Sequence, residues 1–433
     1  MDLMTVSFTL IGLLVLCLGS SLWIGVALAL VALGSFTLFL DLPALTILSN
    51  VLWNNTSGST MMALPLFIFM GEILFRSKIS ENLFKGLSPW MDRIPGRLIH
   101  VNIFASTLFA AVSGSSAATT ATVGKITLPE YKRRNYNMKL CIGSLAGAGT
   151  LGFLIPPSMM MLVYGIMADV SIGKLFIAGF IPGIIIAITF SGYVILRCAQ
   201  HPEYAPRGDL SYTWKDRIRA IPLLAPVVIL VGIVLGSIYA GWATPTEAAA
   251  VGVLGALFFA ALTRSLSFDV FREALMGAVK TSCMIMWIVC GAAFLSVAVG
   301  YLGIPRALTA WISTLGLSPY VLMLILSGMY LFMGCLLDGF SMIVMSLPIA
   351  LPLVRLAGFD PLWFGIFLII MIQLAQITPP VGFNLFVING LTEQSIGSIA
   401  RAAVPFFLLL LVITILLTVF PNLVLMLPNM MVS

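Results

Sequence analysis

Oxygen atoms able to hold a small hard cation gather at four places in this chain, arranged as two pairs. One pair joins Ser113-Gly114-Ser115-Ser116 to Gly152-Phe153-Leu154-Ile155-Pro156-Pro157-Ser158. The other joins Gly334 and Asp338-Gly339 to Gln376-Ile377-Thr378-Pro379-Pro380-Val381-Gly382. A proline pair cannot continue an α-helix, because each proline lacks a donor and its ring strikes the preceding turn. Breaking a helix frees carbonyls on one side and N–H groups on the other. The carbonyls, with a hydroxyl, make an oxygen nest that suits Na⁺. The N-terminal end of a half-helix suits a carboxylate. One ion site per pair is the expectation. In the first, Ser113 and Ser116 face carbonyls near Gly152, Ile155 and Pro157, and Ala110, one turn before Ser113, adds another. In the second, Gly334 faces Ala375, Thr378 and Val381, with Thr378 supplying the hydroxyl.

Substrate is expected at Ser115, Asp338, Gly382 and Asn384. Asp338 is the only carboxylate expected deep in the apolar part of the chain, and such an acid is a functional candidate. At a helix start it is equally a cap for backbone N–H groups. Ser and Gly in apolar helices also serve close packing, and for Ser115, Ala118 and Gly124 taken alone that is the better reading. For Ser113 and Thr378 the coincidence of hairpin tip, broken helix and repeat favours ion coordination. Glu72 lies four residues before Arg76, the spacing of a helical ion pair. Lys125 is expected to snorkel to the membrane face.

The elements that position these residues are membrane helices. Of 433 residues, 60% are hydrophobic and 9% charged, more apolar surface than a soluble domain can bury. The first basic residue is Arg76, which argues against a cleaved signal peptide. The six cysteines show no CxxC spacing and read as small hydrophobes. The net charge of +6 is explained by membrane orientation rather than by nucleic acid. Two histidines, a lone intramembrane acid and no Walker-type loop make an enzyme reading a poor one, and an intramembrane enzyme or a structural membrane scaffold stands as the reading from a different class. A channel is disfavoured, since hairpins around broken helices suit a carrier that closes one gate before opening the other.

In order, residues 5–40 hold two short spans and 41–59 an interfacial arm, with Trp53 at the headgroups. A span over 61–75 leads to a basic stretch. Two arms, 99–112 and 117–128, are each shorter than the roughly 20 residues a crossing needs, so they form a re-entrant hairpin. A broken helix over 140–168 and a span over 175–196 follow. Helices at 221–240 and 246–263 come next, and Arg264, Arg272 and Lys280 mark an inside loop. From Ser282 the pattern repeats: span, hairpin (319–353), broken helix, final span (404–420). All but Lys174, Arg306 and Arg355 of the 22 Lys and Arg fall on one side, which puts both termini outside. Leu128-Pro129 and Leu351-Pro352, the two proline pairs, and Pro182 and Pro405 all lie 223 positions apart. With an odd number of crossings per repeat, the second repeat is inverted, and the hairpin tips meet at the midplane. The divisions expected are 1–59 (scaffold helices and arm), 60–197 (first repeat), 198–280 (central scaffold) and 281–433 (second repeat).

These stretches, together with Gly241-Trp242-Ala243-Thr244-Pro245-Thr246-Glu247-Ala248-Ala249-Ala250, resemble the large membrane subunit of tripartite ATP-independent periplasmic (TRAP) transporters, the DctM-like family. The likeness runs over essentially the whole chain, and the Gly241–Ala250 stretch is its most specific part. One departure is Ala375, where the family often has Gly. The resemblance implies an all-α polytopic protein of the bacterial inner membrane, with an elevator-type transport domain moving against a scaffold. It implies import of an organic acid (C4-dicarboxylate, sialic acid or similar) driven by two or more Na⁺. It also implies two partners, a small four-helix membrane subunit and a periplasmic substrate-binding protein, besides the membrane lipids. A stand-alone anion:Na⁺ symporter or ion antiporter of related fold is the alternative. Gly241–Ala250 reads as a structural corner, with Glu247 as a helix-start acid.

Overall fold

The computed structural model describes residues 3–206, 212–335, 337–380 and 382–431, with the side chains of Leu3, Met4, Val112 and Ser113 outside that description. Every described element is a helix. The chain opens with α1 (Leu3–Gly19), α2 (Ile24–Ser35, extended by a wider turn over Phe36–Leu40), α3 (Ala44–Thr56), α4 (Ser59–Arg76) and α5 (Ile79–Met91). The first hairpin is α6 (Leu98–Ser113) and α7 (Ser116–Arg133). The first broken helix is α8 (Met138–Gly149), a tight turn over Thr150–Phe153, and α9 (Met159–Ala168). Then come α10 (Ile172–Gln200), α11 (Trp214–Tyr239), α12 (Pro245–Leu262), α13 (Phe268–Tyr301) and α14 (Ile304–Thr314). The second hairpin is α15 (Pro319–Gly334) and α16 (Gly339–Leu356). The second broken helix is α17 (Pro361–Gln376) and α18 (Phe383–Leu391), followed by α19 (Ile396–Val419) and α20 (Asn422–Met430).

The expected hairpins and breaks are thus present, and their burial follows from their composition. A helix apolar all round belongs inside. In α8 every residue from Leu140 to Gly149 is buried, and in α17 every residue from Leu362 to Gln376. By contrast α11 is largely uncovered, with 22% of its apolar window buried. Among the described residues seven helices are long and apolar enough to cross a membrane. One of them, α16, is nonetheless an arm of the second hairpin, packed on α15. Small residues let the core helices touch: a Cβ added at Gly143 of α8 would lie 2.2 Å from the Ala402 carbonyl oxygen of α19.

The repeat is written into a contact. Thr150 and Gln373, 223 positions apart, meet with Oγ1 and Oε1 at 3.4 Å. Only residues next to the axis relating two repeats can touch their own counterparts. The repeats also interlock, because α7 packs on α18 and α16 packs on α9.

Three local expectations change. Arg272 and Lys280 are not in a loop. Ser267 caps α13 by accepting from Val270 N, no breaker follows, and the helix runs 34 residues to Tyr301, about 51 Å. The basic stretch after Arg76 folds into amphipathic α5, which packs under α11. The helices α14 and α20 were not foreseen, being short, amphipathic and at segment ends. The corner is structural as expected. Gly241 has φ +71, Thr244 N donates to Glu247 Oε2 at 2.8 Å, and Thr246 Oγ1 donates to the Ser59 carbonyl at 2.9 Å.

Candidate functional site

A cavity of about 430 Å³ lies where the two hairpin tips meet the outer helices. One wall is Gly114 and Ser115 of the first tip with Asp338 and Gly339 of the second. Phe153, Met159 and Met160 flank it from the first break, Gln376 and Phe383 from the second. The facing wall comes from α2, α4 and α13, through Ile24, Ile68, Glu72, Phe75, Thr281 and Met284. The first tip is seated on α9: a Cβ at Gly114, whose φ is +59, would lie 3.0 Å from Met159 Cγ. Gly339 of the second tip faces the neighbouring Met160.

Four helices begin at this cavity: α7, α9, α16 and α18. Each carries unsatisfied N–H groups and about half a positive charge at that end. Three are capped from within. Ser115 Oγ accepts from Ala118 N at 3.4 Å, and Ser158 Oγ accepts from Met161 N at 3.4 Å. Asp338 accepts from Phe340 N at 3.0 Å and from Ser341 N at 3.5 Å, and takes a short bond from the Ser341 hydroxyl. Ser115 and Asp338 occupy corresponding positions, 223 apart. The fourth helix, α18, starts at Gly382 with no side-chain cap. Asp338 is therefore a cap that also lines the cavity.

The first ion-site set comes together in part. A Cβ at Gly152 would lie 3.0 Å from the Ser115 carbonyl carbon and 3.1 Å from Ser116 N, so tip and break touch. Ile155 and Pro157 are buried beside them. The Ala110 carbonyl accepts from Gly114 N at 3.0 Å. The Ser113 hydroxyl lies outside the described residues. Ser116 Oγ donates to Asn384 Oδ1 at 2.9 Å, and Asn384 Nδ2 to the Ala146 carbonyl at 3.4 Å. That pair is buried and ties the repeats together; neither residue lines the cavity.

The second set is tighter. A Cβ at Gly334 would lie 2.0 Å from Ala375 Cβ. Thr378 Oγ1 donates to the Leu374 carbonyl at 2.6 Å. That uses its proton and leaves its oxygen lone pairs for a cation. A Cβ at Gly382, whose φ is +24, would lie 2.8 Å from the Thr378 carbonyl oxygen. Val381 lies outside the described residues. Among those described, no group of three or more His, Cys, Asp or Glu could hold a transition metal. The available donors are hydroxyls and carbonyls, which suit a hard cation.

Sequence reasoning missed Glu72 as a cavity residue. Its ion pair with Arg76, Nε to Oε2 at 2.9 Å, was anticipated, but Arg76 also reaches Glu273 of α13 at 2.7 Å. Exchanging Arg76 for Gln leaves Glu72 uncompensated beside the cavity. A larger loss of uptake is expected from R76Q than from E273Q, measured in vesicles at matched protein content. The Thr150–Gln373 contact was also missed, although the constant offset of 223 already paired the two positions.

The sequence profile of the family described as "Tripartite ATP-independent periplasmic transporter, DctM component" matches residues 10–423. The chain belongs to the DctM family of TRAP transporters. It is 34% identical over 400 residues to the C4-dicarboxylate TRAP transporter large permease protein DctM of Pseudomonas aeruginosa, covering 92% of each chain. It is 30% identical over 421 residues to the sialic acid TRAP transporter large permease protein SiaM of Vibrio cholerae, covering 94% of this chain and 97% of that one. The fold matches the crystal structure of the Alcanivorax borkumensis YdaH transporter, with a TM-score of 0.68, 14% identity and coverage of 92% and 97%. The YdaH likeness concerns the fold alone. As a DctM-family protein the chain is a transporter component and not an enzyme.

Proposed function

We propose that this chain is the large membrane subunit of a Na⁺-coupled TRAP importer. It carries an organic acid anion inward, handed over by a periplasmic substrate-binding protein and supported by a small four-helix membrane subunit. The observation that carries this reading is the cavity itself. Four helix N-termini converge on it, the electrostatics an anion needs. It also lies at a boundary: hairpins and breaks form one wall, and α2, α4 and α13 the other. In the elevator reading, α6–α10 and α15–α20 move as the transport domain against the remaining helices, carrying substrate at Ser115, Asp338 and the start of α18 at Gly382. Asn384 acts from behind by fixing Ser116. Na⁺ at the Ser113–Gly152 and Gly334–Thr378 sets holds each tip on its break and so assembles the anion site. The reading places the protein in the inner membrane with both termini periplasmic. The substrate class is an organic acid; relatives of nearly equal identity are named for a C4-dicarboxylate and for sialic acid, so identity does not choose between them.

The test is uptake into proteoliposomes holding this chain and its small subunit, under an imposed Na⁺ gradient, with and without the binding protein. Candidate acids come from a melting screen of the binding protein. Uptake requiring both Na⁺ and the binding protein is expected. Uptake by this chain alone would make it a stand-alone carrier, and uptake indifferent to Na⁺ would remove the coupling ion.

A further inference from the structure

A second cavity, of about 210 Å³, shares no lining residue with the first and lies at the basic ends of α8, α10 and α19. Lys139 sits in the first turn of α8, Arg197 in the last turn of α10 and Arg401 in the second turn of α19. Asn137, Tyr193 and Tyr204 complete its polar lining. Among the described residues none of the three cations has an acidic partner. No carboxylate lines the cavity; Glu203 pairs with His201 at 3.1 Å, and Glu130 with Arg133 and Arg134 at 2.8 and 3.1 Å. Three like charges around one small cavity repel each other until an anion joins them.

The cavity is built rather than incidental. Asn137 N donates to the Tyr204 carbonyl at 2.9 Å, fixing Tyr204 at the rim. The Arg197 guanidinium stands 5.8 Å over the Tyr204 ring, which orients its donors. The floor is Phe406, packed by Phe190 at 5.1 Å and Tyr193 at 5.4 Å. From Arg401 an apolar stripe runs along α19 through Val404, Leu408 and Val412, 48%, 52% and 60% exposed. A cationic cup opening onto an uncovered apolar stripe matches a headgroup joined to acyl chains.

We propose that the ends of α8, α10 and α19 bind the phosphate of an anionic phospholipid, with its chains along Val404–Val412. Arg197 and Arg401 supply the forked donors that phosphate oxygens accept, Lys139 adds a point charge, and the α8 N-terminus, capped by Asn137 on Leu140 N, adds the positive end of its dipole. A free phosphate would use the cup but not the stripe.

The full-length protein, delipidated in detergent, is titrated by native mass spectrometry with phosphatidylglycerol, phosphatidylcholine and inorganic phosphate. Phosphatidylglycerol is expected to bind the K139Q/R401Q variant on the order of 30-fold more weakly than the native protein, at about fivefold per cation removed. The control K215Q/R219Q, which removes two exposed cations of α11, is expected to bind as the native protein does. Leu408→Gln keeps the cup and is expected to weaken the lipid but not inorganic phosphate. Equal binding of phosphatidylcholine, equal loss in the control, or no loss in K139Q/R401Q would each overturn the proposal. Inorganic phosphate that displaced the lipid at equal concentration would make this a free-anion site instead.

Discussion

Thr378→Val raises the Na⁺ concentration needed for half-maximal uptake by at least about tenfold, a change worth about 1.4 kcal/mol. The substitution is nearly isosteric and removes one oxygen. In the native chain that oxygen gives its proton to the Leu374 carbonyl at 2.6 Å. Its lone pairs are then the part left to face a cation, beside the carbonyls freed at the end of α17. The helix does not need the hydroxyl to stay folded. The Leu374 carbonyl keeps the N–H of Ile377 at 3.2 Å, and the Ala375 carbonyl keeps that of Thr378 at 3.2 Å. The loss therefore reports the ion rather than the fold. Thr378→Ser, which restores an oxygen, should return the Na⁺ dependence to near the native value. Uptake titrated against Na⁺ at matched protein content decides it. An unchanged Na⁺ dependence in the valine variant, with assembly intact, would take Thr378 out of the ion site.

What the sequence made legible divides along physical lines. Proline pairs, segments too short to cross and the 223-residue offset are signals of backbone and length, and they located both hairpins, both breaks and the tips at Ser115 and Asp338. Resemblance added the family, which composition could not. Contacts between distant segments left weaker traces. Glu72 looked complete in its i,i+4 pair with Arg76, and nothing in its neighbourhood told that α4 turns that face toward the tips. Asn384 carried the right chemistry but was assigned to the cavity, whereas the fold gives it to Ser116, 268 positions away. The Lys139–Arg197–Arg401 cup was invisible for the same reason. Each cation followed the positive-inside pattern, and only packing of α8, α10 and α19 makes them neighbours. The basic pair Arg272 and Lys280 reads as a loop in the sequence, yet both lie within the unbroken α13. Cations at the membrane face are compatible with an unbroken helix.

The contact between Gly334 and Ala375 carries the other large effect, because it is where the second hairpin rests on its break. A methyl at position 334 would stand 2.0 Å from Ala375 Cβ, whereas carbon atoms rest at about 3.5–4.0 Å. Gly334→Ala must push α15 off α17, at an overpacking cost of about 1–3 kcal/mol. The displaced segment adjoins both the proposed ion site and the Asp338 cap, so uptake is expected to fall by more than tenfold while the protein still inserts. Removing the opposing methyl should repair it. With Ala375→Gly the nearest remaining atom is the Cα of residue 375, at 3.2 Å, a misfit of a few tenths of an ångström that side chains around the tip can absorb. The other repeat already uses that assortment: the positions 223 earlier are Ala111 and Gly152. G334A/A375G is therefore expected to recover most of the uptake and melting temperature lost in G334A. The resulting coupling between the two positions falls in the range of about 0.5–3 kcal/mol seen for residues in contact. If the double variant were as impaired as G334A, the hairpin's seat would depend on something other than this contact.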